Sequence, residues 1–226
     1  RDDVESRGLG DVYKRQDKYP VEQVATPEGY ARNPELVINF YNERRKQLLD
    51  VVPNAGHLGV ADLERDFNVT VVTQNVDNLH ERAGSTHVIH LHGELTKVCS
   101  SRDPYNPHFV KELAPEEYEV KLGDKAGDGT QLRPFIVWFG ESVPEIETAI
   151  RYVEQADIFV IIGTSLNVYP AAGLLNYVPR AAEVYLIDPK PVDTHVMRPI
   201  HVIQKGASEG VKELKALLTA TQPPLP

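Results

Sequence analysis

Two amides, a carboxylate and a pair of histidines fall close together in Thr73-Gln-Asn-Val-Asp-Asn-Leu-His80 and Val88-Ile-His-Leu-His-Gly-Glu94. Gln74 and Asn75 can both donate to and accept from a carboxamide, and Asp77 can accept from ligand N–H groups. The plainer reading is a polar turn capping the helix that holds Leu79 and His80, and Asp77 can do both. His92 titrates near neutrality and can take a proton from a hydroxyl at working pH. Taken alone, it reads more readily as a half-buried strand histidine bonded to backbone. Tyr41 and Arg44 sit three apart on a helical pattern and therefore share a face. A phenol and a guanidinium together can grip a small carboxylate, Arg in bidentate geometry. The run Arg44-Arg-Lys46 also reads as a solvated face. Gly163-Thr164-Ser165 suits a phosphate or ribose at a strand end, or is simply a turn. Asp188 in Leu186-Ile-Asp188 can accept from ribose hydroxyls.

These groups need elements to hold them. Val69 to Thr73 reads as a buried parallel strand, so Gln74, Asn75, Val76 and Asp77 lie beyond its carboxyl end, where open α/β sheets hold ligands. Val88 to Leu91 reads as a second strand, with His90 and His92 on one face by the period of two. Gly93 permits a close approach next to His92. Asn33-Pro34 opens a helix running to about Leu49, and Pro53 starts another. Residues 97–133, rich in Pro, Gly and charge, read as an excursion from the core. Phe135 to Phe139 reads as strand and Glu145 to Glu154 as helix. Asp157 to Ile162 reads as strand and Ala171 to Val178 as helix. Glu183 to Ile187 reads as strand, and about Ser208 to Leu218 as the last helix. Strand and helix alternate, which predicts a parallel sheet covered on both faces.

The chain has 226 residues and a net charge of -9, which suits one good core and argues against general nucleic-acid binding. No apolar run reaches membrane-spanning length, and no export leader is visible. A single cysteine, Cys99, cannot form an internal disulfide and fits a reducing cytoplasm. Residues 1–16 show neither apolar period and look like a non-native leader.

The motifs in this order resemble the sirtuins, the NAD-dependent lysine deacylases, from near Asp17 almost to the end. The resemblance implies a Rossmann-like α/β fold with a smaller module, here approximately 17–56 and 97–133. It implies NAD as cofactor and acylated-lysine proteins as partners. It makes His92 the general base, with Asn75 and Asp77 positioning nicotinamide and ribose. It places Gln74, Val76, Gly163, Thr164, Ser165, Asp188 and Ala207 at the cofactor, although sirtuins usually carry Asn where Asp188 stands. Trp138, Phe139 and Gly140 match the segment that pairs with the substrate backbone, a β-augmentation. Phe139 either walls the acyl-lysine tunnel or is core. Tyr41 and Arg44 resemble the pair of the subgroup that removes succinyl, malonyl or glutaryl groups, many members of which also remove acetyl. The implied reaction transfers the acyl group to ADP-ribose and releases nicotinamide.

Two departures stand out. Sirtuins commonly hold a structural zinc with two Cys-x-x-Cys pairs, but one thiolate cannot close a tetrahedral site, so no metal is expected. The family's opening Gly-Ala-Gly-x-Ser loop and Phe-Arg are not found, and residues 1–16 stand in their place. Charge-assisted phosphate contacts contribute ~1.5–3 kcal/mol each, so a truncated, inactive NAD- or ADP-ribose-binding module is the alternative. A different nucleotide-binding α/β protein is the other.

Overall fold

The computed structural model describes residues 19–163, 171–192 and 198–220. The chain opens with three helices, α1 (Val21–Val24), α2 (Pro27–Arg32) and α3 (Pro34–Leu49). Their starts follow from local chemistry. The Thr26 hydroxyl accepts from Gly29 N–H, and the Asn33 side chain accepts from Leu36 N–H, each just ahead of a proline at the first helical position. Helix α4 (Ala55–Asp62) begins two residues after Pro53, because Asn54 is its cap.

Strand β1 (Val71–Thr73) leads through a polar loop into α5 (Leu79–Ala83), then β2 (Val88–His90). The two strands pair in parallel, Val71 opposite Val88 and Thr73 opposite His90. The next strands build a different sheet. β3 (Gly93–Ser100), β4 (Lys111–Glu112) and β5 (Leu132–Ile136) are antiparallel in the order β4-β3-β5. Pro134 is tolerated because β5 is an edge strand. The expected excursion at 97–133 thus contains ordered strands, and its sheet already begins at Gly93. The strand expected at 135–139 lies at Leu132–Ile136 instead.

Helix α6 (Ile146–Val153), β6 (Ile158–Ile162), α7 (Ala171–Leu174), β7 (Glu183–Ile187), β8 (His201–Ile203) and α8 (Ala207–Ala220) complete the chain. α7 is shorter than expected and passes into a 3-10 turn at Leu175–Tyr177; Pro179, just beyond, disfavours helix in the residue before it. The last three strands are parallel in the order β6-β7-β8.

Alternation along the strands feeds two cores. Val184 and Leu186 join Ile89, Leu91 and Ile161 beneath Ala149 and Val153 of α6. Tyr185 and Ile187 join Ile203 on the other side, against Val60 of α4 and Val211, Leu214 and Leu218 of α8. Val72 packs with the first group and Val71 with the second. The parallel strands are therefore one layer with helices on both faces, a Rossmann-like arrangement. A third core ties α3 to the antiparallel sheet through Val37, Tyr41, Leu48, Leu95, Ile136 and Trp138.

Candidate active site

The loop after β1 is held by its own side chains. Thr73 Oγ1 accepts from Asn75 N–H at 3.0 Å, and Asp77 Oδ1 accepts from Leu79 N–H at 3.0 Å. Asp77 thus accepts from the first N–H of α5 from the position before the cap residue Asn78, whose own side chain makes no cap bond, and it uses one carboxylate oxygen to do so. Asp77 is 2% exposed, and its Oδ2 finds no hydrogen-bond partner among the described residues, nor do Gln74 Nε2 and Asn78 Oδ1. Buried polar atoms left unpaired cost stability. Two amides and a carboxylate oxygen that wait for partners in one loop fit a ligand carrying a carboxamide and hydroxyls. Val76 packs against the core of α3, and its carbonyl accepts from Leu95 N–H at 2.7 Å.

His92 lies between β2 and β3, half-buried, and its carbonyl accepts from Val137 N–H at 2.9 Å. Burial pushes its imidazole below the ordinary value, partly offset by the Gln74 backbone carbonyl. It is thus neutral at pH 7, the form a base needs. His90 does the opposite. Burial alone would lower it, but Glu81 Oε1 at 2.5 Å and the Asn75 carbonyl at 3.0 Å outweigh that and hold it above its ordinary value. His90 is a brace for the loop. Gly93, next to His92, has φ +87, and a Cβ there would lie 2.1 Å from the Phe135 carbonyl oxygen. We expect Gly93→Ala to lower stability by at least about 1–3 kcal/mol, the cost of a left-handed non-glycine residue, measured by urea denaturation. An unchanged midpoint would remove the close-approach argument.

Sequence reasoning missed His57. The Asn54 N–H donates to His57 Nδ1 at 3.1 Å and the Asn54 side chain accepts from His57 N–H, a reciprocal cap. Asn-x-x-His ahead of an apolar stretch was the available signal. The His57 ring meets His80 edge-on, centroids 4.8 Å apart. Burial lowers both, His80 to about 4, where His57 lowers it further. Neither imidazole supplies a cation beside Asp77.

The remaining candidates follow other strand ends. Gly163 closes β6 and Asp188 follows β7, its Oδ1 accepting from Lys190 N–H at 2.8 Å. Ala207 begins α8 just after β8. Thr164 and Ser165 lie outside the described residues. Tyr41 is 4% exposed, and Arg44 is half-buried on the same helix. The Arg44 guanidinium lies 4.7 Å from the Phe40 ring and donates to Gln47 at 3.0 Å, but its buried Nε has no partner among the described residues. Trp138 is 2% exposed, so its side chain is core rather than a substrate surface, whereas Phe139 is 62% exposed and is not core. Gly140 has φ +88 within that turn.

Cys99 is fully buried in β3, close to the Pro134 carbonyl, and burial pushes its thiol up to about 12. Glu81, His90 and Glu94 bring ligand atoms within 4.8 Å of one another. His90 already pairs with Glu81, and Glu94 with Lys97 at 2.7 Å, so the group is satisfied without a cation.

A parallel layer with polar loops at its strand ends and a neutral histidine beside them defines a ligand-binding α/β protein. The Sir2 family model matches residues 6–170. The NAD-dependent protein deacylase of Bacteroides thetaiotaomicron is 84% identical over 202 residues, 89% of this chain and 86% of that protein. The NAD-dependent protein deacylase of Helicobacter pylori strain 26695 is 46% identical over 196 residues, 87% of this chain and 83% of that protein. A solved complex of a Sir2 homologue with NAD superposes with a TM-score of 0.75 at 34% identity, covering 96% of this chain and 84% of that one. The chain belongs to the Sir2 family.

Proposed function

We propose that this chain is an NAD-dependent protein-lysine deacylase that favours acyl groups ending in a carboxylate, succinyl and malonyl, and also accepts acetyl. The activity class is supported by the relatives named NAD-dependent protein deacylase, and the cofactor by the NAD complex of a Sir2 homologue. When bound, NAD supplies the ADP-ribose that accepts the acyl group, with release of nicotinamide. Gln74, Asn75 and Asp77 hold the carboxamide and ribose end, using the unpaired Gln74 Nε2 and Asp77 Oδ2. His92, neutral at pH 7, takes the proton from a ribose hydroxyl. In this reading Gly163, Asp188 and Ala207, which stand at the ends of β6 and β7 and the start of α8, take the remainder of the dinucleotide. The turn at Phe139 and Gly140 meets the substrate chain; a structure titled Sir2-p53 peptide-NAD+, 26% identical over 86% of this chain at a TM-score of 0.67, makes a peptide partner reasonable.

One observation carries the acyl preference: a buried Arg44 Nε, without a hydrogen-bond partner among the described residues, on the helix face it shares with Tyr41. Burial lowers the Arg44 guanidinium from its usual range, with Tyr41 and Glu43 pulling it back. A desolvated guanidinium gains most from a carboxylate. We expect Arg44→Met to lower desuccinylation roughly 10- to 100-fold, the worth of one charge-assisted hydrogen bond, and to change deacetylation far less. The measurement is kcat/KM on matched succinyl- and acetyl-lysine peptides. Equal loss of both activities would sink the acyl grip while leaving the deacylase reading in place.

A further inference from the structure

Trp138 is clamped on every side. The Arg133 guanidinium carbon stands 3.7 Å from the indole centroid, and the Tyr30 ring packs at 5.2 Å. The indole N–H donates to the Tyr41 hydroxyl oxygen at 3.1 Å. An indole nitrogen can only donate, so this bond fixes the direction of that oxygen's lone pair. The Tyr41 hydroxyl hydrogen must then point away from the indole.

Behind the indole lies a buried ion pair. Arg133 is 3% exposed. Its Nη1 and Nη2 meet the two Glu141 oxygens at 3.1 and 3.0 Å, and Nη2 also donates to the Ile136 carbonyl at 2.8 Å. Glu141 Oε1 accepts from Trp138 N–H at 2.8 Å. The pair therefore fixes the backbone of Trp138 through Glu141 and its ring through Arg133. The same turn carries Phe139, whose N–H donates to the Ala25 carbonyl at 3.0 Å. A planar guanidinium is suited to both tasks at once, because it bonds in its plane and stacks on its face.

We propose that Trp138 is a positioning residue for acyl selection. Its indole N–H orients the Tyr41 hydroxyl so that the phenol donates toward an acyl carboxylate, and the Arg133–Glu141 pair holds the indole in register. This rests on the reading of Tyr41 and Arg44 as a carboxylate grip. An acetyl group has no carboxylate to meet the hydroxyl, so the effect falls on the preference between acyl groups. It also ties acyl recognition to the turn that meets the substrate chain, because both depend on one ion pair.

The test is Trp138→Phe, which keeps an aromatic ring and removes the N–H. Matched succinyl- and acetyl-lysine peptides are compared for kcat/KM and for direct binding by anisotropy. The succinyl-to-acetyl ratio is expected to fall roughly 2- to 12-fold, the range of one neutral hydrogen bond. In the Tyr41→Phe background the same substitution should leave the ratio unchanged, because the group it acts through is gone. A preference that survives Trp138→Phe, or an equal loss on both peptides, overturns the proposal alone. An unaltered chain that shows no preference for the succinyl peptide overturns the carboxylate grip and this proposal with it. Should the variant not fold, the native chain still decides, because Trp138 is its one tryptophan. Its emission should shift with saturating succinyl peptide and not with acetyl peptide, and an identical response to both counts against the proposal.

Discussion

Replacing His92 with asparagine is expected to lower turnover about 10²–10⁴-fold, the usual contribution of a positioned general base, while NAD still binds. The expectation follows from the division of labour in the site. Binding rests on the loop after β1, where Gln74 Nε2 and Asp77 Oδ2 await partners. His92 comes from a different segment, the link between β2 and β3, and touches that loop through the Gln74 backbone carbonyl and not through the two waiting atoms. Its imidazole lies below its ordinary value because it is buried, so the acid limb of kcat/KM should fall below about 6.5, the unperturbed histidine value. The variant should lose that limb. Steady-state kinetics and calorimetric NAD binding on the same sample check both halves. Loss of NAD binding together with turnover would make His92 a structural residue. An unaltered chain that binds NAD and turns nothing over would favour the binding-module alternative.

Acid should unfold this protein through its histidines before its carboxylates. His80 titrates at about 4 in the folded chain and near 6.5 once unfolded. Above pH 6.5 both states leave it neutral. As pH falls below that, the unfolded state binds a proton that the folded state refuses, and stability drains away until the folded value is reached. The His80 share of that loss is about 3 kcal/mol between pH 6.5 and 4. His57 and His92 are also lowered and act in the same direction. His90 is raised, so its contribution is full below pH 6.5 and is lost as pH rises through its folded value. The expected result is a steep loss of denaturation midpoint between pH 6.5 and 4 that His80→Asn makes shallower. If the variant keeps the slope of the unaltered chain, the burial of a neutral His80 is not the cause.

The parts legible in the sequence were those whose local chemistry leaves one solution. Asn33-Pro34 starts α3 where the cap rule put it, and the apolar β-branched run at Glu183–Ile187 is β7 without adjustment. The loop 74–78 was legible because its polar residues follow an apolar strand. β8 was not, since three residues, His201–Ile203, give no period to read. The antiparallel sheet hid inside a Pro- and Gly-rich stretch because its strands pair across long separations. The run Phe135 to Phe139 misled for a related reason. The strand ends at Ile136, and beyond it Trp138 is enclosed beneath Arg133 with Glu141 bonded to its backbone while Phe139 is exposed, which no local pattern announces. The fate of Arg133, a cation that is almost fully enclosed, could be seen only once its carboxylate partner was in place.

Cys99, described above as a buried member of β3, has a practical consequence. With its thiol pushed up to about 12, almost none of it is thiolate at neutral pH, and thiolate is the form that attacks electrophiles. It is also the one cysteine of the chain. The native protein therefore resists alkylating reagents as it stands. A sulfur introduced by Phe139→Cys, at a position 62% exposed, would be the sole reactive one, and a dye attached there would report peptide docking with no background label to subtract.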